Sequence, residues 1–404
     1  MPGSRVGQDD GRQALKLDQL MAQKRIILTM GPGGVGKTTV AAALGLQAAV
    51  SGRRALVLTL DPAMRLAEAM GLGGVEAGQR NELSIELLHA SGISAKQALT
   101  VEMLDTHKAW TNTIAREVKD PSLRKKIIDH PFFDRMSHDL AGAREYAAME
   151  ELYHLYLRGE YDLVILDTPP TVHGMDFLEA PDKVLDVLEH DAYRWLMRPA
   201  LLAGKMGLRM LNFSGGYVTK TLARFTGMEF LRDLAGFVDL FSGLLEGFRQ
   251  RASVVRATLR SDVTSFVLVT AAQKGSIEEA VTLYRRLKNH KMAPDALLVN
   301  RFTFPPEKVV SGSWCHDELI QIAGTSGVSQ KRANQIADAL VWSYQALDKL
   351  SRRDRSALDS LKKQVPNCCQ PMTIAMMDGD IHDLSGLEKL RLAIFESSDK
   401  RKEK

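Results

Sequence analysis

The chain carries Gly31-Pro32-Gly33-Gly34-Val35-Gly36-Lys37-Thr38-Thr39, entered from the apolar run 25–30 (RIILTM) and followed by an alanine-rich helical pattern. This matches G-x-x-x-x-G-K-[ST] in the strand–loop–helix setting that such a loop needs. Glycines let the backbone wrap closely and turn its N–H groups toward phosphate oxygens. The start of the following helix adds partial positive charge at the same place. Gly31, Gly33, Gly34, Val35, Gly36, Lys37, Thr38 and Thr39 are therefore candidate nucleotide-binding residues. Lys37 is expected to bridge β- and γ-phosphates, and the Thr38 hydroxyl to ligate Mg²⁺.

Working outward, six further apolar runs read as strands: 54–60, 83–90, 163–166, 266–271, 296–302 and 372–377. Near-continuous apolar runs suit strands covered on both faces, and helical patterns between them imply parallel crossovers. The expected fold class is α/β: a doubly wound, mostly parallel sheet of P-loop NTPase type. Residues about 94–157 and 182–260 are too long for simple crossovers and read as a helical subdomain beside the sheet. Residues 1–23 read as a flexible leader, 24–397 as one domain and 398–404 as a charged tail. Ser276 followed by Glu279 predicts a capping box for a helix over 275–288.

Two strand ends carry carboxylates. Asp61 follows the second strand in Asp61-Pro62-Ala63-Met64-Arg65-Leu66, where it can orient an attacking water. An N-cap ahead of proline satisfies the same pattern, so both readings stand. Asp167 closes YDLVIL and opens Asp167-Thr168-Pro169-Pro170-Thr171-Val172-His173. An apolar strand ending on Asp is the pattern that supports a phosphate-bound Mg²⁺, here through water. Asp167, Thr168, Pro170, Thr171 and His173 form a candidate switch; a structural role for His173 stands beside that reading.

Together these segments resemble the family of the arsenite-efflux ATPase and the eukaryotic tail-anchored-protein targeting ATPase, among deviant Walker-A ATPases. GGVGKTT is similar to its phosphate loop, DPAMRL to its first switch and DTPPTVH to its second. Val299-Asn300-Arg301 resembles its adenine-contacting strand end, and Asp380 to Leu387 its C-terminal loop. The likeness covers about residues 24–397, and its wording is that of a bacterial branch. The resemblance implies an ATP hydrolase using ATP and Mg²⁺, with Asp61 and Lys37 catalytic, Asp167 and Thr38 serving the metal, and Asn300 reading adenine. It also implies a dimer with nucleotide near the interface, and an apolar protein client or membrane partner.

One departure bears on mechanism. The family's second loop lysine, which reaches the partner's phosphates, is replaced by Pro32. Proline offers neither charge nor N–H. A homodimer is then expected to hydrolyse slowly, unless a paralogue supplies the lysine in a heterodimer or Arg65 substitutes. Val172 also stands where relatives carry glycine, so the second switch is expected to move differently.

Bulk properties exclude several classes. The 404 residues carry 53 Lys and Arg against 49 Asp and Glu, too mild an excess for a nucleic-acid face. No 18-residue apolar run or signal-peptide pattern occurs, and three cysteines make no disulfide framework, so a cytoplasmic protein is expected, with peripheral membrane contact left open. No Cys-x-x-Cys exists, so no structural zinc is expected. Cys315, Cys368 and Cys369 lie away from the second switch, against the alternative of an arsenite or anion efflux pump. A weakly or non-hydrolysing subunit of a heteromeric complex is the other alternative. Met197, Leu201, Met206 and Met210, interleaved with Arg194, Arg198, Lys205 and Arg209, read either as a client groove or as a plain amphipathic helix.

Overall fold

The structure is a computed structural model that describes residues 17–60, 66, 70–71, 76–139, 142–189, 236–237, 240–241, 243–306, 317–318, 320–322, 329–365 and 370–396. Its frame is an eight-stranded sheet among the described residues, in the order β3-β4-β2-β5-β1-β6-β7-β8. The strands are β1 (Ile26–Met30), β2 (Ala55–Thr59), β3 (Arg80–Leu83), β4 (Leu99–Met103), β5 (Leu163–Asp167), β6 (Thr264–Ala271), β7 (Ala296–Phe302) and β8 (Pro371–Ala375). All neighbours pair parallel except β3, which runs antiparallel to β4 at one edge. The α/β fold of P-loop NTPase type is thus present.

Strand alternation divides the core in two. Ile27, Val57, Ile165, Val267 and Leu298 point into one apolar cluster with helices α1 (Lys37–Ser51) and α11 (Leu384–Phe395). Ile26, Leu28, Leu56, Leu58, Val164, Leu166, Phe266 and Leu268 point into the other. Successive side chains of a strand face opposite ways, so strands apolar at every position need cover on both faces.

The second cluster is closed by α3 (Thr106–Glu117), α4 (Pro121–Ile128), α5 (Pro131–Asp139), α6 (Ala143–Arg158), α7 (Thr171–Glu189), α8 (Leu245–Leu259) and α9 (Lys274–Asn289). Trp110 stacks on Tyr146 at 4.6 Å between ring centroids, with Phe248 edge-on to both. Beneath these rings Arg251 of α8 pairs with Glu150 of α6 at 2.6 Å and with Glu117 of α3 at 2.9 Å. The inserted helices therefore share one apolar cluster with the sheet. The 35-residue helix α10 (Gln330–Gln364) packs its C-terminal half, through Asp354 and Leu361, beside β7 and β8.

Several expectations are corrected. Residues 83–90 are not a strand: Leu83 ends β3, and the Ser84 hydroxyl accepts the Leu87 N–H to start α2 (Ile85–Ala90). A serine cap with Glu86 in the first turn outweighs the short apolar run. The stretch 94–157 is not wholly helical, since β4 lies within it; its buried Glu102 is held by Arg80 of β3 at 2.9 Å. The capping box at Ser276 does not form, because α9 starts earlier, with Gln273 at the cap. The leader ends in ordered chain: residues 17–23 are helical, and Leu17, Leu20 and Met21 are buried in the first cluster.

Candidate nucleotide site

Strand β1 delivers the loop to the centre of the sheet's carboxyl edge, where an open α/β sheet leaves a crevice for ligands. Gly31 has φ +153°, and a Cβ there would stand 1.9 Å from the Val269 carbonyl oxygen of β6. Because Val269 pairs with Leu298 of β7, that carbonyl is fixed in the ladder and the loop's first residue has to be glycine. Gly36 has φ +90° and caps α1 without any side-chain hydrogen bond. The first N–H groups of α1 therefore receive no side-chain cap from Gly36, and an uncapped helix start suits an anion.

Lys37 is buried, and its Nζ donates to the Pro32 carbonyl at 2.8 Å. The ammonium is thus held inside the loop by the loop's own main chain. Thr38 Oγ1 donates to Asp167 Oδ2 at 2.7 Å, joining the phosphate loop to the end of β5. Asp167 is fully buried. It stands in register with Thr29 of β1 on one side and Thr59 of β2 on the other. Thr59 Oγ1 donates to Oδ2 at 3.0 Å and Thr29 Oγ1 to Oδ1 at 3.4 Å. A buried carboxylate needs such donors to remain charged. Thr29 and Thr59 were absent from the sequence reading. Their signal was a lone hydroxyl at the same place in two apolar strand ends, LTM and LTL.

Thr168 is buried, and its Oγ1 donates to the Thr29 carbonyl at 2.8 Å. Pro170 is exposed and faces the loop, its ring atoms 3.9 Å from where a Gly33 Cβ would be. Thr171 and His173 open α7, and their side chains lie outside the described residues. Asp61 and Arg65 lie outside them too, although Leu60 N–H donates to the Asp167 carbonyl, so β2 ends beside Asp167. The proposed groove residues Met197, Leu201, Met206 and Met210, and all three cysteines, fall outside the described residues. Asn300, expected at adenine, is placed against the loop: its Nδ2 donates to the Val35 carbonyl at 2.9 Å. Thr39 is half-buried on the first turn of α1.

The residues present fit Mg²⁺ with a polyphosphate. An added Cβ at Gly31 or Gly36 would run into Val269 or Asn300, so glycine keeps the loop's tight course there, and beside it a threonine hydroxyl touches a carboxylate. Among the described residues no three His, Cys, Asp or Glu side chains cluster to hold a metal. Mg²⁺ takes few protein ligands and keeps water and phosphate oxygens. Among the described residues no helix is long and apolar enough to cross a membrane.

Comparison with known proteins agrees with this geometry. The sequence profile of a family described as "Anion-transporting ATPase" matches residues 24–339. A Malassezia globosa protein named ATPase GET3 is 26% identical over 309 residues, 76% of this chain and 80% of that protein. A protein of Aquifex aeolicus, named as a candidate arsenical pump-driving ATPase, is 23% identical over 296 residues, 72% of this chain and 66% of its own. An Aspergillus terreus ATPase get3 is 26% identical over 322 residues, 78% of this chain and 83% of that protein.

Proposed function

The chain belongs to the anion-transporting ATPase family, and from that premise we propose that it is an ATP-driven conformational switch acting on an apolar protein client or a membrane partner. The observation that carries the ATP site is the Thr38–Asp167 hydrogen bond of 2.7 Å at the floor of an uncapped glycine loop. The loop's amides hold the phosphates, and Lys37 turns from the Pro32 carbonyl to the β- and γ-phosphates. Thr38 would lend its hydroxyl oxygen to Mg²⁺, and Asp167, steadied by Thr29 and Thr59, would accept from water on the metal. When bound there, Mg²⁺ would offset the phosphate charge. Asp61, which follows β2 in the sequence, orients the attacking water.

The second candidate switch leads into the helical layer: Asp167 and Thr168 run directly into α7, which packs on α8. Ordering of a switch by the γ-phosphate therefore shifts α7 and α8, the helices bounding residues 190–244. This supports a client role for the Met197–Met210 region, as a homodimer or as a heterodimer with a paralogue.

Hydrogen exchange on the Asp61→Asn chain, with and without Mg·ATP, tests the switch. Altered protection in 171–189 and 245–259 is expected. ATP binding that leaves both segments unchanged defeats the reading. Pro32 favours a second reading, a slowly hydrolysing or non-hydrolysing subunit of a heteromeric complex. Affinity and turnover measured separately discriminate: tight binding without turnover selects the subunit, and arsenite-stimulated turnover selects a pump instead.

A further inference from the structure

Asn300 sits two residues before the end of β7, where the pairing to β8 changes register between Val299 and Phe302. At this bulge Arg301 holds φ +56°, a left-handed conformation that non-glycine residues rarely adopt. The turn points the Arg301 N–H back at Asn300, whose Oδ1 accepts it at 2.9 Å. The carboxamide's orientation is thereby fixed, and its Nδ2 donates to the Val35 carbonyl at 2.9 Å across 265 residues of sequence. Next to that contact, a Cβ on Gly36 would lie only 2.5 Å from Nδ2. The bulge is pinned from behind: buried Asp354 of α10 accepts the Thr303 N–H at 3.0 Å.

We infer that Asn300 is a positioning residue for the phosphate loop: a strut, aimed by the strained Arg301 turn, that holds Val35 and hence the amides of the loop's second half in their phosphate-binding arrangement. The strut reaches the phosphates through the loop. It rests on the nucleotide reading of this site. Two groups of the carboxamide are already engaged within the protein, Oδ1 on Arg301 and one Nδ2 hydrogen on Val35. Backbone strain maintained by surrounding contacts is a recurrent way of pre-organising a site. Removing the donor leaves the Val35 carbonyl without that partner and the loop without that anchor.

Titration calorimetry with three probes tests this: Mg·ATP, Mg·GTP and magnesium with inorganic tripolyphosphate, which has no base. In Asn300→Ala, affinity for tripolyphosphate and for ATP is expected to fall by the same factor, between about 5- and 100-fold. The preference for ATP over GTP stays unchanged. Asn300→Asp keeps the side chain's size and its acceptor for Arg301 but has no Nδ2–H. It is expected to lose at least as much for both ligands, and it provides the readout should the alanine variant fail to fold. Undiminished tripolyphosphate binding together with a lost ATP preference overturns the strut and makes Asn300 a base contact. So does wild-type affinity in Asn300→Asp. A wild-type chain that binds none of the three probes sinks the nucleotide reading, and the strut with it.

Discussion

Thr38 and Thr59 donate to the same oxygen of Asp167, at 2.7 and 3.0 Å, yet should fail differently when each becomes valine. Valine nearly matches threonine in shape, so the loss is mainly one hydrogen bond to a charged group, worth about 1.5–3 kcal/mol when buried. Thr59 is buried in β2 with Asp167 beside it. Thr59→Val should lower folding stability by about that amount in the free protein. Thr38 is half-buried at the loop, where water can replace its bond, so Thr38→Val should cost only about 0.5–1.5 kcal/mol in the free protein. Its larger effect is on the ligand. At one hundred times Kd, bound ligand stabilises by about 2.7 kcal/mol, and Thr38→Val should lose most of that increment. Urea denaturation with and without Mg·ATP measures both quantities. A Thr59→Val protein as stable as wild type would show that Asp167 is not clamped. A Thr38→Val protein that keeps its full nucleotide increment would remove Thr38 from the metal site.

Three further outcomes are expected. Burial first, then the cations Arg116, Arg251 and Arg158, lower the His154 pKa from 6.5 to about 4, despite Glu150 on its own helix. The unfolded chain then binds more protons between those values, so stability is full above pH 6.5 and falls on acidification toward pH 4; melting curves should show His154→Phe flattening that slope. Arg251→Met leaves Glu150, whose pKa burial already raises, without its guanidinium, and should cost about 3–5 kcal/mol in urea denaturation. A shift under 1 kcal/mol, about the worth of an exposed pair, would refute a structural role for that pair. Pro32→Lys keeps the main-chain carbonyl that receives Lys37 and restores a cation, so phosphate release should rise toward the roughly 10³–10⁵-fold worth of a trans cation. Brisk turnover by the purified wild-type chain, equal to that of the variant, contradicts it.

The phosphate loop was legible in the sequence because its determinants are local: glycines, lysine and threonine within one turn, behind an apolar strand. Asp167 was legible for the same reason. Its threonine clamp was not, since Thr29 and Thr59 reach it only through the β1–β5 and β2–β5 registers. Nor was the Asn300–Val35 bond, which depends on a bulge and one left-handed residue. The parallel sheet followed from apolar runs, but the antiparallel edge did not. β3 (RNEL) is mostly polar, and β4 (LTVEM) carries a glutamate that is buried only because Arg80 meets it. The run 83–90 misled because hydrophobicity outweighed one capping serine in the reading, whereas the backbone hydrogen bond decided in the fold.

Titration calorimetry with Mg·ATP, on the wild-type chain and on Lys37→Ala, addresses the loop directly. Saturable heat with one site per chain is expected for the wild type, and its loss for the variant, whose buried ammonium has been removed. No heat from the wild type, or undiminished heat from the variant, would contradict a triphosphate gripped by this loop.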